Sequence, residues 1–148
     1  VSTLCFALQH NNDPQPDAGL RRLWEFATFE CKSALTARQG ARTMERFLQY
    51  ATSPAFAKLV NAREFHLLEE TTIAGTQTRG EMASIIVGVE DWRSDGEDVD
   101  ADAAARKFRW LLQRERRPPL EGCWLVREVL SLDEQYLFNG DTGGTTTD

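Results

Sequence analysis

Val1, Leu4, Cys5 and Leu8 recur at the three- and four-residue spacing of a single helix face, which predicts a first helix. Leu20, Leu23, Trp24 and Ala27 repeat the spacing and predict a second helix that begins near Asp17. Met44, Phe47, Leu48 and Ala51 predict a third. Ser53-Pro54 then reads as an N-cap followed by a first-turn proline, with Phe56, Leu59 and Val60 forming a short fourth helix. Between the first two helices stands LQHNNDPQPDAGL, from Leu8 to Leu20. Asn11 and Asn12 can end a helix, because asparagine tolerates the left-handed cap conformation. Pro14 and Pro16 cannot continue one. Asp17 is expected to restart the chain as an N-cap whose carboxylate accepts a free N–H of the next turn, a contribution of about 1 kcal/mol.

The period changes near Arg63. Phe65, Leu67, Glu69, Thr71 and Ile73 alternate with His66, Leu68, Glu70 and Thr72, the pattern of a strand. Ala74-Gly75-Thr76 reads as a turn. TRGEMASIIVGVEDW follows as a long strand in which Gly80 and Gly88 predict bulges or bends. RSDGEDVDADAA is an acidic connection. ARKFRWLLQRERR puts Phe108, Trp110 and Leu112 on one face, and PPLEG turns the chain. CWLVREVLSL is the last strand, with Cys123, Leu125 and Val129 alternating against Trp124, Val126 and Leu130. Helices first and strands after is the α+β order, with helices packed on one face of an antiparallel sheet. The chain reads as one domain over residues 1–138, followed by a Gly/Thr-rich tail, 139–148, that holds no core former.

Composition narrows the function classes. The 148 residues suffice for one domain with a real core. At 41% hydrophobic and 27% charged, the chain is globular in composition. A net charge of −6 and a pI near 5.0 argue against a general nucleic-acid binder. No apolar run approaches the ~18 residues of a membrane span. Cys5, Cys31 and Cys123 share no metal or redox spacing and read as reduced residues. The chain opens at Val1 rather than Met, so any targeting peptide is expected to have been removed.

Three segments carry a resemblance. LCFALQHNNDPQPDAGLRRLWEFAT (4–28) and ERFLQYATSPAFAKLV (45–60) resemble the opening and middle of a plastid-targeted plant and algal branch of the NTF2-like superfamily. KFRWLLQRE and GCWLVREV resemble the terminal hairpin of the wider fold. The resemblance implies a strongly curved four-stranded antiparallel sheet wrapped around a helix as a cone, with the second helix capping its mouth. It also implies a chloroplast location, in the stroma or on the stromal face of the thylakoid.

Isomerases and cyclases of that superfamily use an Asp or His base in the cone, opposed by hydrogen-bond donors. The residues expected to line the cone here are Tyr50, His66, Trp110 and Trp124, with His66 pointing inward beside Leu68. Asp13 and Asp17 are the rival polar lining. None makes a matched acid–base pair, so no catalytic residue, cofactor or metal is assigned. Asp91, Asp95, Glu97, Asp98, Asp100 and Asp102 lack the EF-hand order and read as a solvated tip, with weak Ca²⁺ binding as the sharper alternative. G-x-S-x-G, HExxH, P-loop and GxGxxG motifs are absent.

Arg106, Lys107, Arg109, Arg114, Arg116 and Arg117 are countered locally only by Glu115. Lys107, Arg109, Arg114, Arg116 and Arg117 are therefore the candidate docking residues. The expectation is a non-catalytic accessory subunit of a larger plastid assembly, such as a photosynthetic complex on the stromal side of photosystem I. A partner would hold the tail, and a homodimer stays open. The alternative is a small-molecule binder or an isomerase- or cyclase-type enzyme that uses the cone.

Overall fold

Leu4, Cys5 and Leu8 bury one side of α1 (Ser2–Gln9), and Leu20 and Leu23 bury the facing side of α2 (Ala18–Glu25), as the spacing predicts. The computed structural model describes residues 1–36, 43–52, 54–91 and 106–132. Ser53, the acidic connection after Asp91 and the tail lie outside the described residues, and so do the expectations placed on them.

The link between α1 and α2 departs from the expectation in a specific way. Asp17 occupies the N-cap position but its side chain caps nothing, and its backbone sits in the left-handed region at φ 60°. Asn11 does the capping from a distance. Its Oδ1 accepts the Leu20 N–H at 2.9 Å, and its Nδ2 donates to Asp17 Oδ1 at 3.2 Å. Its carbonyl accepts the Gly19 N–H at 3.1 Å. Asn12 Oδ1 accepts the Asp17 N–H at 3.1 Å. A buried amide next to the start of a helix satisfies N–H groups that would otherwise be orphaned. Glycine at 19 is a steric requirement, since a Cβ there would drive into the Ala7 carbonyl oxygen. The NND-PxPD-AG segment therefore docks two short helices closely.

A further helix, α3 (Phe29–Thr36), lies where no strong apolar period exists. Phe29 is exposed and only Cys31 of its described side chains is buried. Its one sequence signal is Thr28, whose Oγ1 accepts the Cys31 N–H at 3.1 Å as an N-cap. α4 (Met44–Tyr50) buries Phe47, and α5 (Pro54–Ala57) is a single turn that leads to buried Leu59.

β1 (Glu64–Ile73), β2 (Met82–Glu90), β3 (Arg106–Arg114) and β4 (Trp124–Ser131) form one antiparallel sheet in sequence order. Val87, Val89, Phe108, Trp110, Leu112 and Val126 meet Leu8, Leu23, Phe47 and Leu59 in a single core. Trp110 fills its centre, fully buried. The free side of β4 is partly covered. Ala27 bridges Val126 in parallel, Thr28 N–H donates to Val126 O at 2.8 Å, and Val126 N–H donates to Phe26 O at 2.7 Å.

The sheet is not strongly curled, contrary to the expected cone. The glycines do not supply the predicted bulges. Gly88 pairs with His66 and Lys107 in unbroken β2 register. Gly80 precedes β2 and is small because a Cβ would meet the Arg114 carbonyl. The two register shifts fall on the outer strands, at Leu68 in β1 and Arg127 in β4. The central β2–β3 pair is therefore regular. The β4 shift also breaks the expected alternation. Leu125 and Val126 are both buried, and Trp124 is 37% exposed rather than core.

Candidate functional site

Opposite the face that carries Phe108, Trp110 and Leu112, the alternate strand positions form a second face that is covered only in part: Met82 and Leu125 are buried at one end, where the start of α3 borders Gln113 and Leu125. Cross-strand register lays this face out in rows. Glu64 opposes Glu90, and His66 aligns with Gly88 and Lys107. Glu69 aligns with Ile86, Arg109 and Leu130, and Thr71 with Ser84, Leu111 and Glu128. Ile73, Met82, Gln113 and Leu125 make the last row. Leu68, displaced by the β1 bulge, lies over Gly88, with its Cδ1 3.4 Å from where a Cβ would stand.

Apolar side chains are unusually exposed on this face. Leu68 is 53% exposed, Ile73 43% and Leu130 39%. Ile86 and Leu111 between them are half-buried. Contiguous apolar surface rimmed by charge is the usual mark of an interaction site.

The candidate basic residues do not form one patch. Lys107 and Arg109 stand at one end of β3, and Arg114, Arg116 and Arg117 at the other. From Lys107 to Arg114 is seven strand residues, roughly 23 Å at ~3.3 Å each. Several are already committed. Arg109 Nη2 lies 3.6 Å from Glu128, and Arg114 Nη1 lies 3.7 Å from Glu81. Arg116 Nη1 donates to the Gln77 carbonyl at 2.6 Å. Glu115 pairs with no guanidinium among the described residues. Its carboxylate accepts the backbone N–H groups of Arg116 at 2.7 Å and Arg117 at 2.9 Å and shapes the turn. Lys107 and Arg117 make no side-chain polar contact among the described residues.

The residues expected to line a cone do not converge. Trp110 is core, with an indole N–H that finds no acceptor among the described residues. Trp124 lies at the rim. Tyr50 ends α4, and its side chain lies outside the described part. His66 does not face inward. By register it lies on the open face, with Nε2 3.0 Å from Glu90 Oε1 and 3.9 Å from Glu64 Oε2. The inward neighbour is Phe65, which packs against the core. Asp13 is exposed, whereas Asp17, which accepts from Asn11 in the α1–α2 link, also lines a concavity of about 430 Å³ with Leu20, Leu48 and Val60.

A cleft of about 810 Å³ lies between the start of α3 and the β3–β4 turn. Thr28, Glu30, Gln77, Gln113, Arg116 and Arg117 give it a polar lining. Sequence reasoning missed it because it depends on α3 and on Arg116 reaching the β1–β2 loop.

Cys5, Cys31 and Cys123 are free thiols. Burial pushes the Cys5 and Cys31 thiols up to about 11, which keeps both protonated and unreactive at neutral pH. No family model, curated protein or solved structure matches the chain.

Proposed function

We propose that this protein is a non-catalytic docking module that presents the second face of its sheet, flanked by the basic β3–β4 turn, to an acidic and partly apolar surface of a larger protein assembly. The observation that carries this reading is the exposure of Leu68, Ile73 and Leu130 on the sheet face opposite the Phe108, Trp110 and Leu112 core. Lys107 and Arg117, with no side-chain polar partner among the described residues, add positive charge at opposite ends of that face, which favours a partner of opposite sign and fixes its orientation. Trp110, Phe47, Leu8 and Leu23 are fully buried against one another in the core, which assigns them to packing on this reading.

The resemblance of residues 4–28 to plastid-targeted NTF2-like proteins extends the proposal to a host. A photosynthetic membrane complex, with photosystem I on its stromal side as the specific case, is the assembly to test first. Native fractionation of plastid membranes in mild detergent, followed by mass spectrometry of this chain, tests it. Co-migration with a large complex and release by salt is the expected result. Migration as a free monomer or dimer would overturn the assembly reading.

The cleft of about 810 Å³ favours a second reading, a binder of a small polar ligand held between Thr28, Gln77 and Arg117. Ligand screening by thermal shift separates the two, because a docking module gains stability from its partner and not from small solutes.

A further inference from the structure

We propose that Glu64, His66 and Glu90 form a binding site for a divalent transition-metal ion of the zinc type, at the end of the open sheet face. Glu64 and His66 are two residues apart on β1 and therefore project to the same side. Glu90 is the direct cross-strand partner of Glu64. Glycine occupies the position opposite His66 and adds no side chain of its own there, and Leu68 lies over it beside His66. One donor atom from each residue lies within 4.8 Å of the others. The His66 Nε2 distances are 3.0 Å to Glu90 Oε1 and 3.9 Å to Glu64 Oε2.

Tetrahedral zinc, with bonds of ~2.0–2.1 Å, needs donors roughly 3.3 Å apart. The His66–Glu90 separation is already near that value. Glu64 closes the remainder by side-chain rotation alone, because its carboxylate is more than half exposed.

Electrostatics argues for a cation at this point. Like charges directly opposed across antiparallel strands are destabilising. Among the described residues, the only polar contacts of the Glu64 and Glu90 carboxylates are with the His66 ring. The nearby Lys58 ammonium is held by Asp91 at 3.2 Å. Backbone bonds hold the ligands in register. Arg63 N–H donates to Glu90 O at 2.8 Å, and Gln9 Nε2 donates to Arg63 O at 2.5 Å, tying this strand end to α1.

The donor set selects the metal. One imidazole nitrogen and two carboxylates suit zinc, cobalt or nickel, whereas calcium and magnesium favour all-oxygen cages. Three protein ligands leave a coordination position for water or for a donor from a docked partner.

Titration of the full chain with Zn²⁺, followed by calorimetry and by amide chemical shifts, tests the proposal. Saturable binding of one equivalent is expected, with the largest shifts at Glu64, His66, Gly88 and Glu90. His66→Ala and Glu90→Gln should each weaken that affinity by about tenfold or more while the circular dichroism spectrum is unchanged. Glu90→Gln serves alone if His66→Ala fails to fold. Absence of saturable binding, shifts centred on Cys123, or an affinity that survives both substitutions would overturn the site.

Discussion

Asn11 is the residue on which the N-terminal half turns. It is nearly fully buried, and each of its polar groups is spent joining α1 to α2. Asn11→Ala would orphan the Leu20 N–H inside the structure. It should lower stability by about 1–2 kcal/mol, read by urea unfolding, with an unchanged slope. An effect no larger than that of an exposed substitution such as Asn12→Ala would show that water replaces the cap. The thiols make a second residue-scale test. At pH 8, a thiol reagent should label half-exposed Cys123 first, and Cys5 and Cys31 only on unfolding. Their raised folded values also set a pH dependence. Below the ordinary value of 9.0 both states hold the proton and nothing is lost. Between 9.0 and about 11 the unfolded thiol ionises while the folded one does not, so stability falls as pH rises. A Cys5→Ala/Cys31→Ala variant should show a shallower alkaline loss in the same window.

At the scale of elements, the two faces of the sheet make opposite demands. Trp110→Ala would empty the centre of the core and should cost about 3–5 kcal/mol, seen as a large drop in the thermal midpoint. Leu68→Asn and Leu130→Asn alter exposed positions and should change stability by no more than about 0.5 kcal/mol. If the open face docks a partner, those same substitutions should abolish co-migration with it. Retained co-migration of the double variant would remove the open face from the contact. The free edge of β1 carries Glu69 and Glu70, both exposed, which opposes edge-to-edge pairing with a second copy. Elements were legible where the period was strong. Phe108, Trp110 and Leu112 alternate cleanly and became the core strand. The phase of β4 was not legible, because an inserted residue at Arg127 puts Val126 and Val129, three residues apart, on the same face, opposite Leu112 and Trp110. α3 was missed because Phe29 points outward and carries no apolar stripe.

For the whole molecule, the net charge of −6 is spread unevenly. Glu64, Glu69 and Glu90 gather at the β1–β2 side of the open face, and Arg114, Arg116 and Arg117 at the β3–β4 turn. A dipolar surface of this kind orients an encounter and weakens with salt. Arg116→Glu/Arg117→Glu should therefore lower the salt concentration at which the chain leaves its host. Part of that effect would come through Arg116, whose bond to Gln77 braces the β1–β2 loop, so Arg117→Glu alone is the cleaner variant. An unchanged release profile in Arg117→Glu would count against the basic turn as a contact.

The sequence by itself determined the class of the fold, because helical and strand periods are local and each is written over a short run of residues. It also determined which side chains of β3 become core and that a firm break separates the first two helices. Only the tertiary structure decided what that break is for, since Asn11 acts on Leu20 across nine residues through a docked helix. The candidate metal site is likewise non-local. Glu64 and His66 stand 26 and 24 residues from Glu90 along the chain, and only antiparallel register places the three on one face. The direction of His66 followed from the same register, because Phe65 beside it has the larger apolar surface to bury and takes the inner side.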